Sequence, residues 1–116
     1  MSHSDVSVIL RQKKHWIAVH TFISEEARLE RAKSVPPTDR QFFDAYSTDR
    51  AECIQHWAGK ADFFYCHWLA YEERDIHAAI EAIGMDKFII TMPTEMQRYV
   101  SKDNLTDTPL LNPWNE

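Results

Sequence analysis

Along the chain, runs of β-branched and aromatic residues alternate with stretches whose apolar residues recur every three or four positions. The first pattern is typical of strands and the second of amphipathic helices. Residues 52–58 also fit a continuation of the preceding helix, but the strong strand signal at 61–70 favours a hairpin. We therefore predict strands at residues 15–22, 52–58, 61–70 and 88–92, and helical segments at 25–34, 38–46 and 72–83.

Local signals mark where several of these elements begin and end. Ser24 precedes two glutamates and suits a helix N-cap, and Thr38 with Gln41 forms a capping box. Gly84 stands where a left-handed C-cap belongs. Pro93 is predicted to end the last strand.

The connection between the second and third strands is predicted to be a two-residue turn. Gly59 followed by Lys60 suits a type II′ turn, since glycine tolerates a positive φ. Counting back from this turn places Cys53 opposite Cys66, in an aromatic layer beside Trp68. The two thiols are either small buried apolar residues or a soft-metal or redox pair.

The predicted element order β-α-β-β-α-β is the ferredoxin-like arrangement, an α+β fold with one antiparallel sheet. In this arrangement the first strand lies between the third and the fourth, and both helices cover one face. One side of the third strand carries Phe63, Tyr65, His67 and Leu69, and the other carries Phe64, Cys66 and Trp68. Because neither side is polar, we predict that a second copy of the chain covers the face without helices.

Two stretches resemble a known family. Residues 63–84 hold a cysteine in an aromatic strand, then a short acidic helix with alanine and isoleucine before a glycine. Residues 54–57 form a histidine-bearing hairpin strand. Together they resemble a small ferredoxin-like family, formerly of unknown function, that includes a nickel-binding bacterial protein.

The match to this small family covers roughly residues 15–92. More broadly, the chain is similar to the dimeric α+β barrels, in which two ferredoxin-like sheets pack face to face. This superfamily includes cofactor-independent monooxygenases, lactone isomerases and haem-degrading enzymes. The resemblance therefore implies a homodimer and does not choose among these functions.

Size and composition limit the class of protein. The 116 residues predict a single domain, 1–116, with its core at about 15–92 and a C-terminal tail at 93–116. A net charge of -5 with 13 scattered Lys and Arg argues against nucleic-acid binding. We see neither an apolar run of membrane-spanning length nor a signal peptide, and therefore expect a cytoplasmic protein without a membrane partner. Two cysteines are too few for the disulfide framework of a small secreted protein. Two glycines are too few for the glycine-rich loops that bind phosphate groups in nucleotide-binding proteins.

Six histidines are an enrichment in a chain of this length and suggest a metal site. If the first and third strands align at their centres, His20 and His67 lie on neighbouring strands and face one cavity. His56, Cys66 or a residue of the second copy then completes a shell for nickel, copper or zinc. Cys66 and His67 are adjacent on one strand and point to opposite faces, so these two share an ion only if a bulge intervenes. Alternatively, each imidazole is a half-buried strand residue held by hydrogen bonds.

His77 and Trp68 suggest a different cofactor. A tryptophan on a strand followed by a histidine on the next helix is similar to the haem-degrading barrels. That resemblance implies an axial haem ligand at His77 and a porphyrin-crowding ring at Trp68, although the first strand lacks the asparagine of those enzymes. Alternatively, His77 lies at the edge of an amphipathic helix. An enzyme without a cofactor would use His20, Tyr65 and His67 as acid, base or oxyanion donors.

The C-terminal tail is polar with isolated apolar residues. We expect Leu110, Leu111 and Trp114 to cover apolar surface of the dimer, and Arg98 and Tyr99 alternatively to reach a cavity or a partner. The sequence as a whole predicts a small homodimeric protein that binds a small ligand or a transition metal. The alternative is a dimeric-barrel enzyme, either haem-binding or cofactor-independent and of monooxygenase or isomerase type.

Overall fold

The structure is a computed structural model that describes residues 12–110 and 112–115. These residues form an α+β fold with one four-stranded antiparallel sheet and three α-helices. None of the helices in these ranges is both long and apolar enough to cross a bilayer. The strands are β1 (Lys14–Phe22), β2 (Ala51–Trp57), β3 (Phe63–Ala70) and β4 (Ile89–Met96), and the helices are α1 (Glu25–Ala32), α2 (Asp39–Ala45) and α3 (Glu73–Ala82). Short 3-10 turns lie at Met85–Lys87 and Pro113–Asn115.

The strands are ordered β2-β3-β1-β4 across the sheet, so β1 lies between β3 and β4. In the pairing of β1 with β3, Ile17 lies opposite His67, Ala18 opposite Cys66 and His20 opposite Phe64. Because successive side chains of a strand point to opposite faces, this register decides which side chains share a face.

One face of the sheet is covered by the helices and holds the core. Trp16, Ala18 and His20 of β1 are buried there, at every second position. Ile76 and Ile80 of α3 reach the same core because they lie four positions apart on one helix face. The buried apolar cluster comprises Trp16, Ala18, Ala51, Cys53, Cys66, Trp68, Ala70, Ile76, Ala79, Ile80 and Ile89.

The helix ends are formed by the predicted local signals. The Ser24 hydroxyl accepts a hydrogen bond of 3.0 Å from the amide of Ala27 at the start of α1. Thr38 and Gln41 form both bonds of the capping box at α2. Gly84 adopts the left-handed conformation after α3, with a φ of 73°. These three predictions are confirmed.

The hairpin between β2 and β3 differs from the prediction at its turn and in its register. Its connection is the five-residue segment 58–62, and Gly59 does not adopt a positive φ, so the type II′ turn was wrong. The longer connection displaces the pairing by three positions and a bulge between Cys53 and Gln55 returns one of them, so Cys53 lies opposite Trp68 instead of Cys66. An extra residue in one strand moves every later pair by one position.

Strand β4 does not stop at Pro93. The strand continues to Met96, with Pro93 opposite Ala18 of β1. β4 is at the edge of the sheet, and an edge strand tolerates a proline because one of its sides has no ladder to lose. The sheet therefore includes the first four residues that we had placed in the tail.

The second face of the sheet, which we call the open face, is rich in large apolar side chains. Tyr65 lies opposite Val19, which lies opposite Met92, so one apolar row crosses three strands on this face. The large apolar side chains exposed on the open face include Trp57, Phe63, Tyr65, Ile90, Met92 and Met96.

Candidate functional site

An aromatic cavity of about 440 Å³ lies between the sheet and the first two helices. The sheet contributes Phe22, His56 and Phe64, and the second helical segment contributes Phe42 and Tyr46. The size falls within the range of pockets that enclose small organic ligands. We call this the helix-side cavity.

The rings of the helix-side cavity are brought together by strand register and helix spacing. Phe22 and Phe64 lie on neighbouring strands with ring centroids 5.6 Å apart. Phe42 and Tyr46 are four residues apart and stack at 4.5 Å, and Phe42 also lies 4.6 Å from the ring of His56. The cavity wall is therefore a continuous aromatic surface.

Two arginines of α1 line the same cavity. Arg28 is paired with the carboxylate of Glu25. Arg31 forms no ion pair with another residue in the described ranges, and its guanidinium lies 5.4 Å from the ring centroid of Phe88. The cavity thus combines apolar walls with one cation whose charge is not neutralised within the described chain.

Tyr46 supplies a neutral hydroxyl to this environment. Burial raises the pKa of Tyr46 to about 12, with the neighbouring Cys66 as the next cause. The phenol therefore keeps its proton at pH 7 and can both donate and accept a hydrogen bond.

His56 connects the cavity to a buried pair of thiols. Its Nδ1 lies 3.2 Å from Sγ of Cys66, and Sγ of Cys53 donates to the carbonyl of Gln55 at 3.4 Å. Hydrogen bonding with Cys53, followed by burial, raises the pKa of Cys66. Burial lowers the pKa of His56, so a neutral imidazole faces a protonated Cys66 thiol at pH 7. The thiols and Trp68 share one buried face, as the sequence predicts, although Cys53 and Cys66 are not directly opposite.

His20 is fully buried beneath Phe64. The two rings stack at 5.0 Å, and Nδ1 of His20 lies 2.9 Å from Oγ1 of Thr91. Nε2 of His20 has no hydrogen-bond partner in the described part of the chain. Burial, with a smaller contribution from His56, lowers the pKa of His20 to about 4. The folded protein therefore holds this imidazole neutral.

The structure does not bring His20 and His67 together. His20 lies opposite Phe64 on the helix-covered face, whereas His67 lies opposite Ile17 on the open face. The strand centres do align, with Ala18 opposite Cys66, but in this register His20 is three positions from the partner of His67, and this odd offset sends the two side chains to opposite faces. Residues 12–110 and 112–115 contain no group of three or more His, Cys, Asp or Glu side chains placed to hold one ion.

The two residues of the haem prediction also lie apart from the helix-side cavity. Trp68 is fully buried in the core, with its ring 6.3 Å from that of Tyr46. His77 lies on α3 with Nε2 3.1 Å from the carboxylate of Glu73, one helical turn earlier. Neither side chain lines this cavity.

A second histidine pair was missed by the sequence reasoning. Nδ1 of His15 lies 2.9 Å from Nε2 of His67 on the open face, and the Tyr99 ring lies 5.0 Å and 4.8 Å from the two imidazoles. These three residues line a cavity of about 450 Å³, which we call the open-face cavity. The register of β1 with β3 decides both that the two imidazoles share a face and that they touch, and the sequence does not show this register.

The C-terminal tail contacts the open face near its start, and its predicted coverage of a dimer stays a prediction. Tyr99 packs against the histidine pair, so it does reach a cavity. Leu110 and Trp114 are largely exposed in the single chain, and Leu111 lies outside the described residues. The described tail therefore contacts the open face through its first residues.

Comparison with protein-family models, curated proteins and solved structures found no match. The resemblance to the dimeric α+β barrels therefore stays a prediction. The functional proposal below is based on the geometry of the helix-side cavity.

Proposed function

We propose that this chain is a small-molecule-binding protein whose ligand occupies the helix-side cavity. The observation that carries the proposal is a ligand-sized space lined by five aromatic rings, beside which lies the guanidinium of Arg31, which has no ion-pair partner among the described residues. The ligand that fits this chemistry is a flat, largely apolar molecule that bears one anionic group.

Each part of such a ligand has a partner in the cavity. A flat ring system packs against Phe42 and Phe64, and aromatic contacts of this kind contribute about 0.5–1.5 kcal/mol beyond the area they bury. A carboxylate or sulfonate accepts charge-assisted hydrogen bonds from Arg31. His56 and Tyr46 supply neutral polar atoms that orient the molecule.

A fluorescent probe of this chemistry, 1-anilinonaphthalene-8-sulfonate, tests the proposal. We expect saturable binding to the native protein and a roughly tenfold weaker Kd in Arg31→Gln, since a charge-assisted bond contributes about 1.5 kcal/mol. The uncharged N-phenyl-1-naphthylamine lacks the sulfonate and should bind both proteins equally.

Two further variants locate the probe. Arg40→Gln removes an exposed arginine of α2 that does not line the cavity and should bind like the wild type. Phe63→Ser alters the open face and should also leave binding unchanged. Equal sulfonate affinity in Arg31→Gln and the wild type, or a loss in Phe63→Ser, would contradict the assignment.

We also propose that the fold is ferredoxin-like and that a second copy of the chain covers the open face. The strand order β2-β3-β1-β4 supports the first part if α1 and α2 are counted as one helical layer. The open face carries six large apolar side chains that are each about half exposed, with roughly 100 Å² of accessible surface per side chain. Their exposed apolar area is therefore about 600 Å², close to the roughly 800 Å² that each partner buries in a standard interface. The apolar row Tyr65, Val19 and Met92 carries no charge, so two copies related by a two-fold axis meet without repulsion.

The mass in solution tests this assembly. Sedimentation equilibrium at micromolar concentration should give twice 13.7 kDa for the wild type and 13.7 kDa for Tyr65→Asp. A buried, unpaired carboxylate at the centre of the open face costs several kcal/mol. Leu29→Asp is the matched control, since Leu29 of α1 is 48% exposed against 42% for Tyr65, and it should remain dimeric. A monomeric wild type would contradict the proposal.

A further inference from the structure

Two histidines of the open face, His15 and His67, bring their ring nitrogens close together. Nδ1 of His15 and Nε2 of His67 are 2.9 Å apart, and both rings line the open-face cavity. His67 is only 2% exposed although it lies on the face without helices. Tyr99 packs against both rings and contributes to this burial.

This spacing matches two nitrogen ligands in adjacent positions around one metal ion. Imidazole nitrogens bind first-row divalent ions at about 2.0–2.1 Å. Two nitrogens at that distance from the metal are about 2.9 Å apart when the N–metal–N angle is 90°. At the tetrahedral angle that Zn²⁺ prefers, they are about 3.4 Å apart. Right-angled nitrogen ligands are typical of the tetragonal or square-planar geometry of Cu²⁺ and Ni²⁺.

We propose that His15 and His67 form a binding site for a tetragonal divalent ion, with Cu²⁺ preferred over Ni²⁺ and Zn²⁺. Cu²⁺ leads because it binds a given nitrogen site most tightly in the first-row series. When the ion binds, the imidazole that donates across the pair transfers its proton through solvent to its own other ring nitrogen, so that both facing nitrogens are free and no redox change occurs.

The rest of the open-face cavity suits the remaining coordination positions. Gln55 lines it and offers an amide oxygen, and water fills the other positions. The site lies on the face opposite the helix-side cavity and does not depend on the ligand proposed there.

Titration with Cu²⁺ tests the site. His3 with a free amino terminus would itself bind Cu²⁺, so every titration uses the full chain, without a tag, in a His3→Ala background. Calorimetry should show one ion per chain and electron paramagnetic resonance should show splitting from two nitrogens. His15→Gln should weaken binding at least tenfold and leave one nitrogen. His77→Gln, which removes a partly exposed histidine of α3, should change neither result.

Three results would overturn the proposal. The first is equal Cu²⁺ affinity in His15→Gln and His77→Gln, and the second is tighter binding of Zn²⁺ than of Cu²⁺. A third measurement uses the His3→Ala protein alone, so it does not require that a variant of the site folds. In this protein, substoichiometric Cu²⁺ should broaden the ring-proton NMR signals of His15 and His67 before those of His20 and His77. Broadening that begins elsewhere contradicts the site.

Discussion

Replacing Trp68 with alanine is expected to lower the free energy of unfolding by about 4 kcal/mol, the largest effect we predict. Trp68 has no exposed surface and lies at the centre of the sheet, opposite Trp16 on one side and Cys53 on the other. The substitution leaves a cavity that helices on one side and strands on the other cannot fully close. Removal of the buried Nε1, which has no partner in the described chain, offsets a small part of the cost.

Denaturant unfolding followed by far-UV circular dichroism measures this loss. The wild type and the variant must be compared at one protein concentration, because association of copies shifts apparent stability. Trp114→Ala is the matched control, since Trp114 is 91% exposed and its removal should change stability by less than about 0.5 kcal/mol. Similar losses in the two variants would show that Trp68 is not a core residue.

His20 should make the protein sensitive to mild acid. The pKa of His20 is lowered to about 4 in the folded chain, against 6.5 for the free side chain, so the unfolded chain binds more protons between these values. Stability is therefore unaffected by His20 above pH 6.5 and is lost as the pH falls toward 4. At pH 4.5 the expected loss from this residue is about 2.5 kcal/mol.

A comparison with His20→Asn isolates this contribution. Asparagine does not titrate and keeps an amide within reach of Thr91. The difference in unfolding free energy between pH 7 and pH 4.5 should be about 2.5 kcal/mol larger for the wild type than for the variant. The carboxylates and the other histidines titrate in both proteins, so they cancel in this comparison. The same pH dependence in both proteins would refute the assignment.

The helices and strands were predictable because their signals are local. Ser24, the Thr38 capping box and Gly84 act within one helical turn of their own position. The length of β4 was harder to predict from the sequence, because a proline such as Pro93 normally ends a strand and is tolerated only where the strand lies at the edge of a sheet. That edge position is a property of the whole sheet.

The sites were harder to predict because they depend on register between distant segments. The bulge near Cys53 helps to set the pairing of β2 with β3, and the pairing of Ile17 with His67 places His20 and His67 on opposite faces. The contact of Tyr99 with His15 depends on the path of residues 97–101, whose sequence has no periodic pattern. Arg31 belonged to a predicted helix, but its place at a cavity follows only from the packing of α1 on the sheet.

Both borders of the sheet carry irregularities that matter for how copies of the chain meet. β2 and β4 are the outermost strands, and they contain the bulge near Cys53 and Pro93, respectively. Each irregularity interrupts the row of backbone donors and acceptors that another chain would need in order to add a strand. The sheet is thereby protected against sideways growth into fibrils, and the pairing that we propose for its open face, which ends after two copies, does not compete with growth at the edges.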